Sequence, residues 1–183
     1  MVGLVDGDYG VHTYLNGSFT MNTSNTNSGG WNNSYMRKTV LGSDSPSTTS
    51  PTANTLLAAL PADLRVVMKP ATKYSDNTGG GSDTASYVTA TQDLLPLLSE
   101  FEYHGVRTYA NSAEKNYQAQ YDYYKAGNSK VHYKHNATGT AARAWCRSVF
   151  SSDRHLFCRV DADGIASLGD AYYSWALAPC FFV

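Results

Sequence analysis

Residues 142–183 read ARAWCRSVFSSDRHLFCRVDADGIASLGDAYYSWALAPCFFV and decide the fold class. Three runs rich in apolar, β-branched and aromatic residues, ARAWCRSVF, LFCRVDADGIAS and SWALAPCFFV, have the length and composition of short strands. The middle run contains Asp163-Gly164, a dipeptide typical of a tight hairpin turn. The last third of the chain is therefore predicted to be a set of short strands joined by turns.

On either side of this turn, small residues alternate with residues of mixed chemistry. Successive side chains of a strand point to opposite faces of its sheet. We therefore expect a uniform inner face of small residues and a chemically mixed outer face that is free to vary. The inner positions are Val160, Ala162, Gly164 and Ala166, and the outer positions are Asp161, Asp163, Ile165 and Ser167.

Three earlier segments carry helix signals. Apolar residues at helical spacing predict a short helix over Trp31–Leu41. The run LLAAL predicts a second helix that ends at Pro61, with Ser50 or Thr52 as its N-cap. A third helix is predicted over Ser112–Ala126, where tyrosines recur three or four residues apart on one face.

Strands are also predicted before the last third of the chain. VHTYL and SFTMN flank Asn16-Gly17 and predict a hairpin, and the run Leu64–Pro70 predicts a single strand. Residues 86–99 predict a strand followed by a short turn of helix. Helices early and strands late indicate an α+β fold, and 183 residues are enough for a single domain over residues 1–183.

The composition excludes several kinds of partner. A net charge of -1 and a charged fraction of 16% give no electrostatic reason to expect nucleic acid or an anionic membrane. No apolar run approaches the roughly 20 residues that a membrane-spanning helix needs, so no membrane insertion is expected. The opening MVGLVDGDYG has neither a basic n-region nor an apolar h-region, so no signal peptide is predicted.

The sequence contains no recognisable catalytic motif. A GxSxG elbow, an HExxH or CxxC motif and a phosphate-binding glycine loop are all missing. The histidines are scattered and supply no partner for a nucleophile. We therefore expect a protein that is not an enzyme and that uses no cofactor.

Two sequence features could suggest a metal site, and each has a simpler interpretation. His132 and His135 have HxxH spacing but lack a third ligand, which favours a solvated loop or strand end over zinc. Residues 161–167, DADGIAS, resemble part of a calcium loop, but no glutamate follows Glu114 to close it. The hairpin turn explains Asp163-Gly164, and no metal is predicted.

The three cysteines, Cys146, Cys158 and Cys180, all lie in the last third and lack metal-ligand spacing. Buried thiols that pack as small apolar residues are the favoured interpretation. A Cys146–Cys180 disulfide is the alternative, and the sequence does not decide between them.

The framework of the last third resembles the variable region of target proteins of diversity-generating retroelements. In that family a reverse transcriptase mutates the adenines of a template copy, and the product replaces the 3′ end of a gene for a ligand-binding protein. Earlier pieces, GGWNNSYMRKTVL, LPADLRVVMKPAT and TATQDLLPLLSEFE, resemble an uncharacterised domain of gut bacterial and phage proteins. The matching framework is W-C-R-S at Trp145–Ser148, V-x-x-x-G-x-A at Val160–Ala166, Ala171, and LAPCFFV at Leu177–Val183.

This resemblance implies a C-type lectin-like fold in which two helices flank short antiparallel sheets. It also implies a variable region over about residues 147–175, displayed on the C-terminal strands and loops. A backbone that carries changing side chains must be held by residues that do not change. Ala176 stands where the family usually has glycine, and Trp175 is either framework or a mismatch.

The residue types between the framework positions agree with this mutagenesis. Asparagine codons mutated at their adenines cannot encode Lys, Glu, Gln, Met or Trp, and residues 147–174 contain none of these five. Tyr172 and Tyr173 stand side by side in a predicted loop, where tyrosine offers contact area at low entropic cost. The candidate ligand-binding positions are Asp153, Arg154, His155, Leu156, Phe157, Arg159, Asp161, Asp163, Ile165, Ser167, Leu168, Gly169, Asp170, Tyr172 and Tyr173, with Phe157 as an alternative core residue.

The resemblance implies a receptor-binding or adhesin protein that recognises a protein or glycan on a bacterial surface. It would be carried on a virion or encoded by a prophage and displayed at the cell surface. A calcium-dependent lectin would be expected to carry Glu-Pro-Asn or Gln-Pro-Asp and Trp-Asn-Asp motifs, and these are missing. An enzyme of the formylglycine-generating type would need reactive cysteines in a cleft, whereas a structural role in a tail fibre is compatible with receptor binding.

Overall fold

The computed structural model describes residues 2–3, 19–134 and 137–183. Most of the hairpin predicted around Asn16-Gly17 lies outside these residues. Short helices and small antiparallel sheets make up the described part, which confirms the α+β class. The α-helices are four to six residues long, so helical structure is spread over several segments and is not concentrated in two. They are α1 (Gly30–Asn33), α2 (Leu56–Ala59), α3 (Ala62–Val67), α4 (Glu100–His104) and α5 (Asp122–Lys125).

The pairings between strands in the described residues are antiparallel and form four small sheets, and an isolated parallel bridge joins Ala144 to Ala176. The largest is three-stranded and comes from the last third of the chain, in the order β6-β7-β8. This confirms the prediction of short strands there. The pairs are β1 (Val2–Gly3) with β9 (Cys180–Phe181), β2 (Ala71–Asp76) with β3 (Val88–Asp93), and β4 (His132–Lys134) with β5 (Ala137–Ala142), and the three-stranded sheet contains β6 (Ala144–Val149), β7 (Leu156–Val160) and β8 (Ala166–Asp170).

The strand predicted over Leu64–Pro70 is wrong, because most of that run belongs to α3. Pro61 precedes the first turn of this helix, and Asp63 lies within that turn, where its charge favours the helix dipole. Val66 and Val67 are 58% and 50% exposed, so their β-branched side chains do not belong to a buried strand. A continuous apolar run does not by itself distinguish a strand from a helix.

The long helix predicted over Ser112–Ala126 is also wrong. Ser112–Asn116 forms a 3₁₀ turn that is capped by the side chain of Asn111, and only Asp122–Lys125 is α-helical. Tyr117, between the two, stacks on Tyr74 with the ring centroids 4.3 Å apart. The tyrosines therefore recur at helical spacing but do not share one helical face.

The remaining helix predictions are correct in place but not in detail. The helix over Trp31–Leu41 is interrupted at Ser34, after which Met36–Leu41 forms a π-helix. LLAAL does form α2, but its N-cap is Thr55, whose hydroxyl accepts from the backbone of Ala58 at 3.3 Å. Residues 94–99 carry no helix because Pro96 interrupts them, although β3 before them is correct.

Two apolar clusters lie on opposite faces of the three-stranded sheet. Trp145 and Phe157 belong to the larger cluster, whereas Cys146, Cys158 and Val160 belong to the second. Both faces of the sheet are therefore packed, and only its ends and edges can display side chains. Among the described residues, no helix has the length and apolar character needed to cross a membrane.

Candidate ligand-binding surface

The strand order brings two of the predicted variable loops to the same end of the sheet. Leu156, the first residue of β7, pairs with Asp170, the last residue of β8. The backbone amide of Ala171 donates to the carbonyl of His155 at 2.9 Å, which joins the β6–β7 loop to the turn after β8. The β7–β8 turn lies at the opposite end, because Val160 pairs with Ala166 there.

The first end presents polar and aromatic side chains. Tyr172 and Tyr173 are 42% and 45% exposed, and their ring centroids are 4.7 Å apart in an edge-to-face arrangement. Arg154 is exposed in the β6–β7 loop. Beside it, the imidazole of His155 lies 3.1 Å from the carboxylate of Asp153. This end therefore has the rigid aromatic and adaptable polar groups that binding surfaces use.

The opposite end is the turn predicted at Asp163-Gly164, and the structure confirms it. Gly164 has a φ of +84°, a conformation that residues with a Cβ rarely adopt. The side chain of Asp163 accepts from the amide of Ile165 at 3.1 Å, and Ile165 itself is 59% exposed. Asp163 and Ile165 are thus displayed.

The predicted alternation of two faces does not continue through this turn. Only Val160 is fully buried among the four inner positions, and Ala162, Gly164 and Ala166 are half-buried. Alternation requires an extended backbone, and residues 161–165 turn instead. The support for this end comes from the strands on either side and not from a continuous small-residue face.

An aromatic and arginine-rich strip connects the two ends. We define this central strip as Tyr172, Tyr173, Trp175, Arg143 and Arg159. The ring centroids of Tyr173 and Trp175 are 6.4 Å apart. The guanidinium carbons of Arg143 and Arg159 lie 4.9 and 4.8 Å from the centre of the Trp175 ring. Such cation–π contacts hold both arginines against an aromatic surface.

Asp161 joins the two arginines of the strip. Its carboxylate accepts from Nε of Arg143 at 2.7 Å and lies 3.3 Å from Nη1 of Arg159. The partial burial of Asp161 opposes ionisation, but the amide of Ala162 and the two guanidinium groups lower its pKa. Asp161 is therefore ionised, and it orients the guanidinium groups of the two arginines in the central strip.

Two candidate variable positions are buried, and two more are apolar and half-buried. Phe157 is fully buried in the larger cluster, which confirms the alternative that it is a core residue. Gly169 is buried, and a Cβ built there would lie 2.8 Å from both Trp145 Cη2 and Trp175 Nε1. Leu168 packs against the second cluster, and Leu156 is half-buried. Of these, Phe157 and Gly169 cannot contact a ligand in this structure.

The remaining candidates form the displayed set. They lie at the two ends of the sheet or along the central strip, and all are exposed or half-buried. Ser167 and Asp170 are half-buried at its edge. The displayed set is Asp153, Arg154, His155, Arg159, Asp161, Asp163, Ile165, Ser167, Asp170, Tyr172 and Tyr173.

Asn27 holds the β6–β7 loop through its backbone. Its side-chain amide donates to the carbonyls of Asp153 and Leu156 at 2.7 and 3.0 Å, and its own backbone amide donates to the carbonyl of Arg154 at 2.7 Å. Its side-chain oxygen accepts from the amide of Gly80 at 2.8 Å, and the residue is fully buried. These bonds do not depend on which side chains the loop carries.

A buried ionic network lies beneath the surface. Arg147 is fully buried and donates to Glu102, to Ser75 Oγ at 2.9 Å and to the carbonyl of Leu97 at 2.8 Å. Lys73 adds a second ion pair to Glu102 at 2.9 Å. Burial alone would raise the pKa of Glu102, but Arg147 and Lys73 lower it to about 2. Glu102 is therefore ionised, and its one carboxylate is shared by two buried cations.

The pKa of a second buried carboxylate, Glu114, is shifted in the opposite direction from that of Glu102. Burial raises the pKa of Glu114 to about 7, although hydrogen bonds from the backbone of Asp76, from Ser148 and from Gln118 oppose this shift. Ser148 Oγ donates at 2.7 Å and the amide of Asp76 at 3.0 Å. Glu114 thus joins β2 to β6, and these hydrogen bonds involve no residue of the displayed set.

The cysteines are buried, and the described histidines are separate from them. Cys146, Cys158 and Cys180 are buried free thiols, which confirms the favoured interpretation, and burial raises the pKa of each. His132 lies 3.0 Å from the hydroxyl of Tyr103, and burial lowers its pKa to about 4. His135 lies outside the described residues. The described residues contain no cluster of three potential metal ligands.

Three important residues were missed by sequence reasoning. Arg143 and Trp175 complete the central strip, and Asn27 anchors a loop that is distant from it in the sequence. Trp175 proves to be packed against the framework, beside Gly169. Its departure from the asparagine-codon pattern was the available signal, whereas nothing in the sequence distinguished Arg143 or Asn27.

Comparisons with known proteins identify no relative. No protein family, curated protein or solved structure matches this chain.

Proposed function

We propose that this chain is a ligand-binding protein of the diversity-generating retroelement class with a C-type lectin-like fold. It displays variable side chains on the ends and edge of β6-β7-β8, and it works as a receptor-binding protein or adhesin. Its ligand is a protein or glycan on a bacterial surface. It acts without catalysis, from a virion or from a cell surface.

The separation of backbone support from displayed side chains carries this proposal. Asn27 and the amide of Ala171 hold the β6–β7 loop by its carbonyl groups, and the side chain of Asp153 adds one bond by accepting from the amide of His155 at 2.6 Å. Side chains at Arg154 and Tyr172 are exposed and are not needed for these bonds. A scaffold of this kind tolerates exchange of the binding residues without loss of the fold.

The chemistry of the displayed set supports binding. Tyrosine, tryptophan and arginine are the residues most often found at the energetic centre of an interface. In the central strip Trp175 lies between the tyrosine pair and the two arginines. The carboxylates and the histidine at the two ends supply the polar rim that an interface also needs.

Sequencing the 3′ end of this gene across a natural population of its host tests the diversification. We expect substitutions to be confined to the displayed set, with codons that end in C or T. Exchanges at Phe157 or Gly169 should be rare, because both side-chain positions are buried. Variation spread evenly along the gene, or no variation, would overturn the proposal.

A binding experiment tests the surface itself. Fluorescently labelled protein is incubated with a panel of gut bacterial strains, and the double variant Tyr172→Ala/Tyr173→Ala is compared with the native chain. We expect the variant to lose most of its binding to any strain that the native protein labels. Tyr123→Ala/Tyr133→Ala is the matched control, because these tyrosines are 62% and 49% exposed on other elements. Equal losses from both double variants would contradict the assignment.

A further inference from the structure

The guanidinium of Arg143 is held in one orientation, but only one of its three nitrogen atoms donates a hydrogen bond to a described residue. Its Nε donates to Asp161 at 2.7 Å, and its side chain is 45% exposed. No described residue accepts from its Nη1 or Nη2. Asp161 and the Trp175 ring therefore fix the direction of a guanidinium whose outer edge can still donate two parallel hydrogen bonds. A carboxylate is the group that this planar fork matches best.

Three aromatic rings follow one another from the guanidinium of Arg143 towards the end of the sheet, in the order Trp175, Tyr173 and Tyr172. The centroid separations are 6.4 Å from Trp175 to Tyr173 and 4.7 Å from Tyr173 to Tyr172. Each step is comparable to the length of one sugar ring. Exposed tyrosine rings offer an apolar face to the C–H groups of a sugar and a hydroxyl to its oxygens. The ring planes are inclined by 89° and 62°, so each ring offers its own contact surface, and together they offer successive contacts to a short linear ligand.

A polar pair lies beyond the tyrosines. Asn25 Nδ2 donates to Asp170 Oδ1 at 3.0 Å, and this contact is exposed to solvent. The pair presents an amide donor next to a carboxylate acceptor. Two neighbouring hydroxyl groups of a sugar have a similar separation, so one can donate to Asp170 while the other accepts from Asn25.

We propose that this copy of the protein binds an acidic oligosaccharide along the central strip. The carboxylate of one sugar is held by Arg143, sugar rings stack on Tyr173 and Tyr172, and neighbouring hydroxyls of a further sugar bind Asp170 and Asn25. Because a guanidinium receives the carboxylate, the recognition needs no metal ion. This inference rests on the proposed function, since it uses the same surface and adds the chemical class of the ligand.

Calorimetric titration with trigalacturonic acid, and separately with its methyl ester, tests this inference. We expect the acid to bind and its neutral ester to bind at least about tenfold more weakly, as loss of a charge-assisted hydrogen bond predicts. Arg143→Gln should weaken binding of the acid by a similar factor and leave binding of the ester unchanged. Arg65→Gln is the matched control, because Arg65 is an arginine of α3 and lies outside both the displayed set and the central strip. Thermal unfolding of each variant shows that the fold is retained.

Three results would overturn the inference. The first is failure of trigalacturonic acid to bind more tightly than its ester, when 3′-sialyllactose also fails to bind more tightly than lactose. The second is an equal loss of affinity in Arg143→Gln and Arg65→Gln. The third is tighter binding of a hexaglutamate peptide than of either acidic sugar, which would identify a peptide ligand. In each case substitutions confined to the displayed set in the population would still support the proposed function, so the two failures are distinguishable.

Discussion

Two arginine–carboxylate pairs on neighbouring strands have different roles: one is buried within the fold and the other lies on the displayed surface. Arg147 of β6 pairs with Glu102, and their side chains are 0% and 6% exposed. Arg159 of β7 pairs with Asp161, and their side chains are 11% and 25% exposed. The chemical groups are equivalent, but Arg147–Glu102 belongs to the framework and Arg159–Asp161 lies on the displayed surface.

The difference in burial determines what can be exchanged. A buried ion pair that loses one partner leaves an uncompensated charge in a medium of low dielectric constant. A pair near the surface loses little, because water replaces the missing partner. The same residue types are therefore obligatory in one region and replaceable in the other. Four experiments test this contrast, from the largest expected effect to the smallest.

Glu102→Gln should give the largest loss of stability. The substitution leaves Arg147 and Lys73 buried without a counter-ion, and such changes cost about 3–5 kcal/mol. The free energy of unfolding, measured by chemical denaturation, should fall by that amount. Asp161→Asn is the matched control at the surface, where a change within about 1 kcal/mol is expected. Similar losses from the two variants would remove the distinction between the regions.

The pH dependence of stability should reveal the buried Glu114. Burial raises its pKa from 4.5 to about 7, so the folded state holds this proton more tightly than the unfolded state. The resulting stabilisation, about 3 kcal/mol, is fully present below pH 4.5 and is lost as the pH rises through 7.

The difference between the native chain and Glu114→Gln isolates this contribution. His132 has a pKa lowered to about 4, so its stabilisation is lost as the pH falls from 6.5 towards 4 and partly masks the effect in the native chain alone. The difference in unfolding free energy should change between pH 5 and pH 8 in favour of the native chain at the lower pH. A difference that is independent of pH would show that Glu114 titrates normally.

Gly169→Ala should destabilise the fold although Gly169 lies within the predicted variable region. The new methyl group would lie 2.8 Å from Trp145 and from Trp175, and overpacking of this kind costs about 1–3 kcal/mol. Near-ultraviolet circular dichroism should report movement of the tryptophans. Ser167→Ala, two residues earlier on the same strand, is the control and should be close to neutral. If Gly169→Ala is as stable as the native chain, packing does not fix this position, and Gly169 remains a candidate variable position.

Exchange of displayed side chains should have the smallest effect. The triple variant Arg154→Ser/Ile165→Asn/Tyr172→Ser changes three exposed residues, and each change should alter the unfolding free energy by no more than about 0.5 kcal/mol. Phe157→Ser is the buried counterpart in the same region, with an expected loss of several kcal/mol. If the triple variant unfolds as readily as Phe157→Ser, the displayed set also supports the fold.

Local chemistry explains which predictions from sequence were correct. The Asp163-Gly164 turn depends on the conformational freedom of one glycine, and α2 ends where Pro61 cannot continue it. The prediction failed over Leu64–Pro70 and Ser112–Ala126, where spacing and composition fit more than one structure. Tertiary contacts determined the secondary structure of those segments, and the stacking of Tyr117 on Tyr74 is one example.

By itself the sequence determined the α+β class, the strands of the last third and the turn between β7 and β8. These features follow from residue type, short-range spacing and the φ preferences of individual residues. Only the tertiary structure decided which residues of the predicted variable region are displayed. Exposure depends on what packs against a side chain, and those partners, such as Trp145 against Gly169 and Glu102 against Arg147, come from distant parts of the chain.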